Sequence, residues 1–384
     1  MRRNPMSVVA ALGVGQTLAY GTTYYLPAVL ANSMAAELGI GTVWVFVGFS
    51  AGLLLAAALG PLAGRLIDVF GGRQVLAGSS LVFAAGLAIL GSASGAATLF
   101  AGWLVIGAGM SAGLYEAAFS TLARIYGADA RRSITGITLI AGFASTVCWP
   151  LSAYMDAQLG WRVACYVWAA THLLIGLPLY LFLPKAGAHA EPVAQPASAV
   201  DGEKRFAAMA ALAFVFAAGW FCSTAMAAHL PRVLQEAGAS LPAAIAAAAL
   251  VGPAQVAARI LEFSLVRHVH PLFSARIATL AHPAGVATLA GFGAPAAPVF
   301  TVLHGGGNGV MTIAIGTLPL VLFGPAGYGL RQGLLIVPAR IAQAAAPFVF
   351  DLLLTRYALG ALWLTVGISL AAFCVLMLLP ARAK

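Results

Sequence analysis

Two arginines that interrupt long apolar segments are the residues of this sequence with the clearest capacity for chemistry. Arg259 lies in the segment 242–266, and Arg340 lies in the segment 332–353. Each sits about 12 Å from a segment end at the helical rise of about 1.5 Å per residue. A charge near the centre of a bilayer costs about 2.5–3.5 kcal/mol, so it needs a reason to be there. Because a guanidinium binds carboxylate or phosphate through two parallel hydrogen bonds, the pair predicts a site for a small anion.

Other interpretations of Arg259 remain open at the level of sequence. Glu262 follows one turn later and could form a simple ion pair with it. The spacing of Arg259 and Glu262 also repeats that of Arg65 and Asp68, which would place Arg259 at a membrane edge. Counting from the start of each segment instead sets Arg259 opposite Leu59, which favours the binding role. For Arg340, a structural role is as consistent with the sequence as a role in substrate binding.

Two acidic residues in apolar segments are candidates for carrying a proton. Glu116 lies in the segment 98–123, and Glu262 lies beside Arg259. A carboxyl group in the membrane that gains and loses a proton could couple transport to a proton gradient. The alternative for Glu116 is a structural brace that pairs with Arg65 or Arg73, and a structural role is open for Glu262 as well.

The composition excludes most other classes of protein. Hydrophobic residues make up 61% of the 384 residues and charged residues only 8%. A soluble domain carries about 25% charged residues, so a soluble enzyme is not expected. Two GxSxG patterns lie inside apolar segments, where a nucleophile elbow cannot form. The four cysteines lack CxxC spacing, so we expect no disulfide framework, no metal site and no cofactor.

Twelve apolar segments are separated by Gly, Pro or charged residues, which predicts an all-α membrane protein with twelve transmembrane helices. The segments are 7–30, 42–67, 74–93, 98–123, 134–155, 162–183, 207–230, 242–266, 273–292, 297–320, 332–353 and 358–380. A stretch rich in Ala, Pro and charge at 184–205 predicts a flexible linker. The predicted domains are a six-helix half at 1–183, the linker, and a second six-helix half at 206–384.

The distribution of basic residues predicts the orientation. With alternating segments, fifteen of the 20 Lys and Arg residues lie on one side, three lie on the other, and two lie within segments. This bias places both termini and the linker in the cytoplasm. The net charge of +9 therefore reflects topology, and no nucleic-acid partner is expected. We expect a multi-pass monomer in the plasma (inner) membrane.

Glycines spaced four apart predict places where helices pack closely. The pairs are Gly60 and Gly64, Gly109 and Gly113, and Gly305 and Gly309.

The motif with the most specific pattern follows the second segment. Residues 64–73 contain Gly64, Arg65, Asp68, Gly71 and Arg73 in the order G-R-L-I-D-V-F-G-G-R. This stretch resembles the loop between helices two and three of the major facilitator superfamily. The resemblance implies secondary transport by two halves in alternating access and no enzymatic activity. It also implies that these five residues form a conformational switch. Independently of the resemblance, we expect Asp68 to lie at a helix end on the cytoplasmic face, with both arginines in reach.

Other motifs of that superfamily are missing. Its proton-coupled members place an arginine four residues before a glycine in helix four, whereas Trp103 precedes Gly107 here. Its antiporters place Gly-Pro near the end of helix five, whereas this sequence has Trp149-Pro150. Protons as the coupling ion, and the choice of symport or antiport, therefore stay open.

A narrower resemblance concerns the substrate. Cations in helices eight and eleven, here Arg259 and Arg340, are similar to those of the oxalate–formate and monocarboxylate branch, which implies a small organic anion as substrate. Helices one, four, seven and ten line the cavity in this superfamily. Tyr24, Thr23 and Tyr115 are therefore candidate substrate contacts, with hydrogen bonds between helices as the alternative.

Two other functions are compatible with the same fold. The first is efflux of a toxic compound, either a drug or a thiol-seeking metalloid such as arsenite, which Cys148 and Cys222 would bind. Buried cysteines are more often small apolar fillers. The second is a receptor or scaffold that moves no solute, for which the loops offer little surface.

Overall fold

A computed structural model describes residues 5–184, 202–266 and 269–379. Every regular element in these ranges is helical, and no strand occurs among them. Eight helical runs are long and apolar enough to cross a membrane by length and composition. The predicted all-α membrane fold is confirmed.

The eight runs account for ten of the predicted segments. Ala96–Leu159 covers segments 4 and 5, and Tyr328–Leu378 covers segments 11 and 12. Segment 1 is divided into shorter helical pieces, and segment 9 contains Arg276 and His282, which lower its mean hydropathy. Both are nevertheless helical, so twelve membrane helices are present in the described ranges.

The first six helices are often interrupted. Two of their interruptions, at Tyr20–Tyr24 and His172–Gly176, are short π-helical stretches. The pieces are Pro5–Ala19, Tyr20–Tyr24 and Pro27–Leu38 in helix 1; Thr42–Phe70 in helix 2; Gly72–Gly91 in helix 3; Ala96–Gly113 and Tyr115–Tyr126 in helix 4; Ala130–Ala141 and Ala144–Leu159 in helix 5; and Trp161–Thr171, His172–Gly176 and Leu177–Leu181 in helix 6.

The last six helices are more regular, and only helix 8 is broken into pieces. Helix 11 begins four residues before its predicted segment, so Arg331 lies within its first turn rather than before it. The pieces are Gly202–Glu236 in helix 7; Leu241–Ala248, Val251–Leu261 and Glu262–Val266 in helix 8; Pro271–Phe292 in helix 9; Ala297–Phe323 in helix 10; Tyr328–Tyr357 in helix 11; and Leu362–Leu378 in helix 12.

Two features of the helices differ from the sequence prediction. Helix 1 continues to Leu38 because Pro27 opens a new helical piece, where its missing N–H would be unpaired in any case. Helix 4 breaks at Leu114, whose backbone is extended with φ −89° and ψ −171°. No proline explains this second break. It leaves a new helical piece that starts at Tyr115, beside Glu116.

The chain forms two compact units. Unit 1 contains residues 1–195 and 323–337, and unit 2 contains residues 196–322 and 338–384. The first turns of helix 11 therefore belong to unit 1. Most of the predicted linker 184–205 lies outside the described residues, and helix 7 begins at Gly202 within it. The division into halves at 1–183 and 206–384 stays a prediction.

The glycine pair of helix 2 packs directly on another backbone within unit 1. Gly60 and Gly64 face Gly333 and Gly329, and a Cβ at Gly64 would lie 2.0 Å from the carbonyl oxygen of Gly329. Only glycine permits so close an approach. The predicted tight packing at this pair is confirmed, and its partner is a second glycine pair with the same spacing.

The other two predicted glycine pairs also pack closely. Gly305 and Gly309 in helix 10 lie against the backbone of helix 8, where a Cβ would be 2.7 Å from the Val251 oxygen and 2.5 Å from the Gln255 oxygen. The pair in helix 4 is covered by the ring of Phe83. These contacts fix the spacing of helices 8 and 10 inside unit 2.

One end of unit 1 is held by an ion pair. The Nε of Arg162 donates to Glu37 at 2.8 Å, and the indole N–H of Trp161 donates to the other carboxylate oxygen. Arg162 also donates to the carbonyls of Gly91 and Ala93, at 3.0 and 2.6 Å. The hydrogen bond from Arg162 holds the pKa of Glu37 below its ordinary value of 4.5.

Candidate functional site

Arg259 lies on helix 8 in the interior of unit 2, and its side chain reaches helix 10. It is 4% exposed. Its Nε donates to the carbonyl of Gly309 at 3.3 Å, and one Nη donates to the hydroxyl of Thr312 at 3.4 Å. The close backbone contact at Gly309 brings helix 10 within reach of this side chain. Glu262 follows on helix 8 and is buried as well, so both charges of this segment lie inside the unit.

Arg340 is the second buried cation of unit 2. It is 2% exposed and donates to the side-chain oxygen of Gln343 at 3.0 Å, one turn along helix 11. Its guanidinium carbon lies 5.9 Å from the ring centroid of Trp220 on helix 7. This distance is within the range of a cation–π interaction. The side chain is therefore held by an amide and an indole.

The two guanidiniums share a chemical capacity. A buried arginine remains charged, because its pKa in water is above about 12. Both side chains are oriented by polar or aromatic groups of their own unit rather than by solvent. A fixed guanidinium in a medium of low dielectric constant attracts an anion more strongly than one in water does. Unit 2 therefore holds two buried positive charges.

Two histidines that the sequence analysis did not select meet in the same unit. His282 of helix 9 and His304 of helix 10 contact each other through their Nδ1 atoms at 3.0 Å. The Nε2 of His282 contacts the hydroxyl of Thr365 on helix 12 at 2.8 Å. They border a cavity of about 40 Å³, lined also by Cys222, Thr279, Asn308 and Ser369. The only sequence signal was a histidine in each of two successive apolar segments.

The predicted aromatic contacts form a cluster in unit 1. The ring of Tyr20 lies 4.6 Å from that of Tyr115 and 5.7 Å from that of Tyr24. Tyr24 also packs against Phe49 at 5.6 Å. The π-helical stretch of helix 1 and the break in helix 4 thus bring two predicted substrate contacts together. Thr23 is fully buried, and its hydroxyl donates to a carbonyl of its own helix.

Asp68 of the predicted switch contacts the first turn of helix 11. Its two carboxylate oxygens accept hydrogen bonds from the backbone N–H of Gly329 at 2.9 Å and of Leu330 at 2.8 Å. These N–H groups have no partner within the helix, and a negative charge is favourable there. Gly71 ends helix 2 with φ 86°, a backbone conformation that favours glycine. The sequence motif therefore caps a helix about 260 residues away.

The two arginines of the motif are placed differently from the expectation. Arg65 is exposed and Arg73 is half-buried. Within the described ranges neither forms an ion pair with Asp68, because that carboxylate faces the start of helix 11 instead. Arg124 of helix 4 donates to the carbonyl of Val69 at 3.3 Å and so ties this loop to helix 4.

Glu116 is buried in the first turn after the break in helix 4. It lies within electrostatic range of Tyr328, the first residue of helix 11. No ion pair joins it to Arg65 or Arg73 in the part of the chain that the structure describes, so the brace is not formed with these two arginines. Whether this carboxyl group carries a proton stays a prediction.

The four cysteines are free thiols. Cys148, Cys165 and Cys222 are buried, and Cys374 is exposed. The sulfur of Cys222 lies 3.6 Å from the hydroxyl of Ser369. The described residues contain no group of three or more His, Cys, Asp or Glu that could hold a metal ion.

Solved structures with the same fold are transporters. The human organic anion transporter MFSD10 (TETRAN) matches with a TM-score of 0.75 and 17% identity, covering 98% of this chain and 100% of the other. The E. coli fucose:proton symporter FucP matches with a TM-score of 0.78 and 13% identity, covering 98% of this chain and 99% of the other. The proton:xylose symporter XylE matches with a TM-score of 0.71 and 14% identity, covering 97% of this chain and 95% of the other. At these identities the likeness establishes the fold alone.

The family model covers most of the sequence. The model of the Major Facilitator Superfamily matches residues 12–335, which include the switch loop, the aromatic cluster and Arg259. Together with the helical fold and the match to transporter structures over nearly the whole length, this match identifies the family. The chain belongs to the Major Facilitator Superfamily of membrane transporters.

Proposed function

We propose that this protein is a secondary transporter that moves a small organic anion, such as a monocarboxylate, by alternating access. Membership of the superfamily supports transport of a small solute in general. The anion is inferred from one observation, the burial of two arginines, Arg259 and Arg340, inside one unit. They are assigned as the anion-binding residues.

The energetic argument favours a binding role. Removing a charge from water costs several kcal/mol even after the surroundings relax. Each hydrogen bond from a charged donor returns about 1.5–3 kcal/mol. A bound carboxylate can return more, because its hydrogen bonds are charge-assisted and can be bidentate. An anion bound at either guanidinium would therefore offset part of the cost of its burial.

The aromatic cluster of unit 1 is assigned to the body of the substrate. Tyr24 and Tyr115 offer ring faces and hydroxyl groups and are joined through Tyr20. Thr23 is the weaker candidate, because its hydroxyl already bonds within helix 1. Its role fits helix packing better than substrate contact.

The motif of residues 64–73 is assigned to the conformational switch. Asp68 binds the N-terminus of helix 11, and Gly64 allows the backbones of helices 2 and 11 to touch. The first contact is a hydrogen bond and the second is a close backbone approach. Both depend on short distances, so a moderate change in backbone position breaks them. Gly71 shapes the loop, and Arg65 and Arg73 contribute its positive charge.

The similar structures agree with this proposal in part. One of them is named as an organic anion transporter, which supports an anion as substrate. Two others are named as sugar:proton symporters, which supports protons as the coupling ion. At 13–17% identity neither name transfers by itself, so the anion assignment depends on the arginines.

Several finer assignments belong to the same proposal. We place both termini in the cytoplasm because of the bias of basic residues. A monomer in the plasma (inner) membrane is part of the same proposal. Glu116 and Glu262 are candidate coupling groups, since both are buried carboxyl groups in membrane helices.

A thermal-shift screen of the purified protein tests the proposal. Lactate, oxalate, formate, a neutral sugar, a cationic drug and arsenite are added in turn to the wild type and to Arg259→Gln and Arg340→Gln. The control is Arg276→Gln, which removes an arginine of unit 2 that donates to the carbonyls of Leu376 and Leu379. We expect a carboxylate to raise the melting temperature of the wild type and of the Arg276→Gln control, but not that of Arg259→Gln or Arg340→Gln.

The outcome decides between substrate classes. Stabilisation by the sugar or the drug without any carboxylate effect would overturn the anion assignment. Stabilisation by a carboxylate that persists in both arginine variants would move the site elsewhere.

Efflux of a toxic compound is the alternative on the same fold. The observation in its favour is that Cys222 lines a small cavity beside two histidines. A soft metalloid such as arsenite would bind thiols there or at Cys148. A variant without cysteines that still gives cells full arsenite resistance would remove the thiol role.

A further inference from the structure

We infer that His282 and His304 form a binding site for a single proton in the interior of unit 2. As a coupling site for transport, this inference rests on the proposed function. As a proton site, it rests only on the geometry of four helices in one unit. The nearest sequence-based candidates for this role were Glu116 and Glu262.

The hydrogen bonds fix where the protons of this pair lie. The Thr365 hydroxyl contacts the carbonyl of Leu362 at 2.8 Å, and a carbonyl can only accept, so the hydroxyl proton points there. The hydroxyl oxygen must then accept from the Nε2–H of His282. Neutral His282 therefore has its lone pair on Nδ1, and it accepts the Nδ1–H of His304.

This arrangement leaves one nitrogen for an added proton. The lone pair of neutral His304 is on Nε2, and that atom has no hydrogen-bond partner in the described ranges. His304 also lines the cavity, which has room for a few water molecules but not for an organic solute. Water held by the polar groups of this lining, which include Asn308, Thr279 and Ser369, can deliver a proton to Nε2. The proton charge then lies on His304, which keeps its bond to His282.

The capacity of the pair is one proton. A second proton would put N–H groups on both Nδ1 atoms, which are 3.0 Å apart and would have no acceptor between them. A metal ion fits poorly as well. Two tetrahedral Zn–N bonds of about 2.05 Å would hold the nitrogens about 3.3 Å apart. The contact distance and the hydrogen-bond chain therefore both match a proton.

The surroundings determine how the proton interacts with an anion. The polar residues that helix 7 contributes to the cavity are Cys222 and Ser223, and helix 12 contributes Ser369 and Ala372. On helix 8, Arg259 binds Gly309, five residues beyond His304 on helix 10. Arg276 lies six residues before His282 and is held by carbonyls of helix 12. A proton on His304 adds positive charge to the unit that holds Arg259, so proton and anion should each favour binding of the other.

The first test is independent of transport. Protein with ¹⁵N-labelled histidine is titrated from about pH 9 to about pH 4, and ring ¹⁵N signals are assigned with His304→Gln and His282→Gln. We expect one proton uptake for the pair, on His304, and its loss in His304→Gln. The control is His172→Gln, which removes the buried histidine that contacts Thr22 in unit 1. It should leave the signals of the pair unchanged.

The second test uses liposomes with the carboxylate that stabilises the protein best. In His304→Gln, accumulation driven by a pH gradient should fall by about tenfold or more, while carboxylate exchange without a gradient persists. Uptake of two protons by the pair, or of none, would overturn the proton site. Unchanged accumulation would overturn its coupling role. A wild type that moves no carboxylate would refute the proposed function and leave the titration result standing.

Discussion

Both units bury a histidine against a threonine, but only unit 2 adds a second imidazole. In unit 1 the Nε2 of His172 contacts the hydroxyl of Thr22 at 2.8 Å, and its Nδ1 has no hydrogen-bond partner in the described ranges. In unit 2 the corresponding Nδ1 of His282 is occupied by His304. The first arrangement joins helices 1 and 6. The second can also take up a proton from a cavity.

The arginines differ in the same direction. Arg162 of unit 1 lies at the end of its unit, is partly exposed and pairs with Glu37. Arg259 and Arg340 of unit 2 are almost fully buried among helices. Ion pairs at exposed ends contribute little, whereas a buried charge is costly unless it is paired and hydrogen-bonded. Unit 1 also buries Arg331, which donates to the carbonyls of Gly324 and Ala326. Under the proposed function, unit 2 supplies the charge that binds the anion, and unit 1 supplies aromatic surface and the switch.

The largest effect should come from removing a buried cation of unit 2. Arg259→Ala should abolish carboxylate uptake in liposomes while the protein still inserts into the membrane. Loss of a buried, hydrogen-bonded charge from a binding site costs about 2–5 kcal/mol, which is more than a tenfold change in Kd. Uptake at the wild-type rate would show that Arg259 is not an anion-binding residue.

A smaller effect, on stability, should come from the backbone contact of unit 1. In Gly64→Ala the new Cβ would lie 2.0 Å from the carbonyl oxygen of Gly329 and 2.5 Å from its carbon. Overpacking of this kind costs about 1–3 kcal/mol, so the melting temperature should fall and the cap at Asp68 should loosen. Gly78→Ala is the matched control, because no atom lies within 4 Å of its added Cβ. Equal melting temperatures of the two variants would contradict the packing argument.

Sequence alone predicted the elements well because hydropathy decides them. Each of the twelve apolar segments is helical, since a chain in lipid must satisfy its backbone hydrogen bonds internally. The close contact at Gly64 was also predictable from the spacing of small residues. The break at Leu114 was not, because neither it nor its neighbours include a proline.

Contacts between distant segments could not be predicted. Nothing in the sequence indicates that Asp68 binds Gly329, since the two are far apart and the motif suggested nearby arginines instead. Likewise, helices 9 and 10 each carry one histidine, and either could have faced lipid or a different neighbour. The pairing of His282 with His304 depends on how each helix is rotated about its axis. Because these segments are apolar on all sides, their periodicity does not show which face points inward.

An intermediate effect on carboxylate affinity should come from Trp220, which contacts Arg340. Trp220→Leu removes the ring that lies 5.9 Å from the guanidinium of Arg340 and leaves a side chain that fills part of the space. Cation–π contacts contribute about 0.5–2 kcal/mol, so carboxylate affinity should weaken by up to about tenfold. The measurement is the carboxylate concentration that gives half of the maximal thermal shift. Trp220→Tyr, which keeps an aromatic face, should retain most of the affinity; equal losses in both variants would assign the effect to packing.

The smallest effect should appear at the end of unit 1, where Arg162 lowers the pKa of Glu37. A carboxyl whose pKa is lowered in the folded state stabilises the fold above its ordinary value of 4.5, and this stabilisation is lost as the pH falls through the lowered pKa. The melting temperature of the wild type should therefore decline on acidification below that value. Glu37→Gln should be less stable at neutral pH and should lack this part of the decline, whereas the exposed Glu236→Gln should follow the wild type. Parallel pH curves for all three proteins would show that the ion pair contributes nothing, as many exposed pairs do.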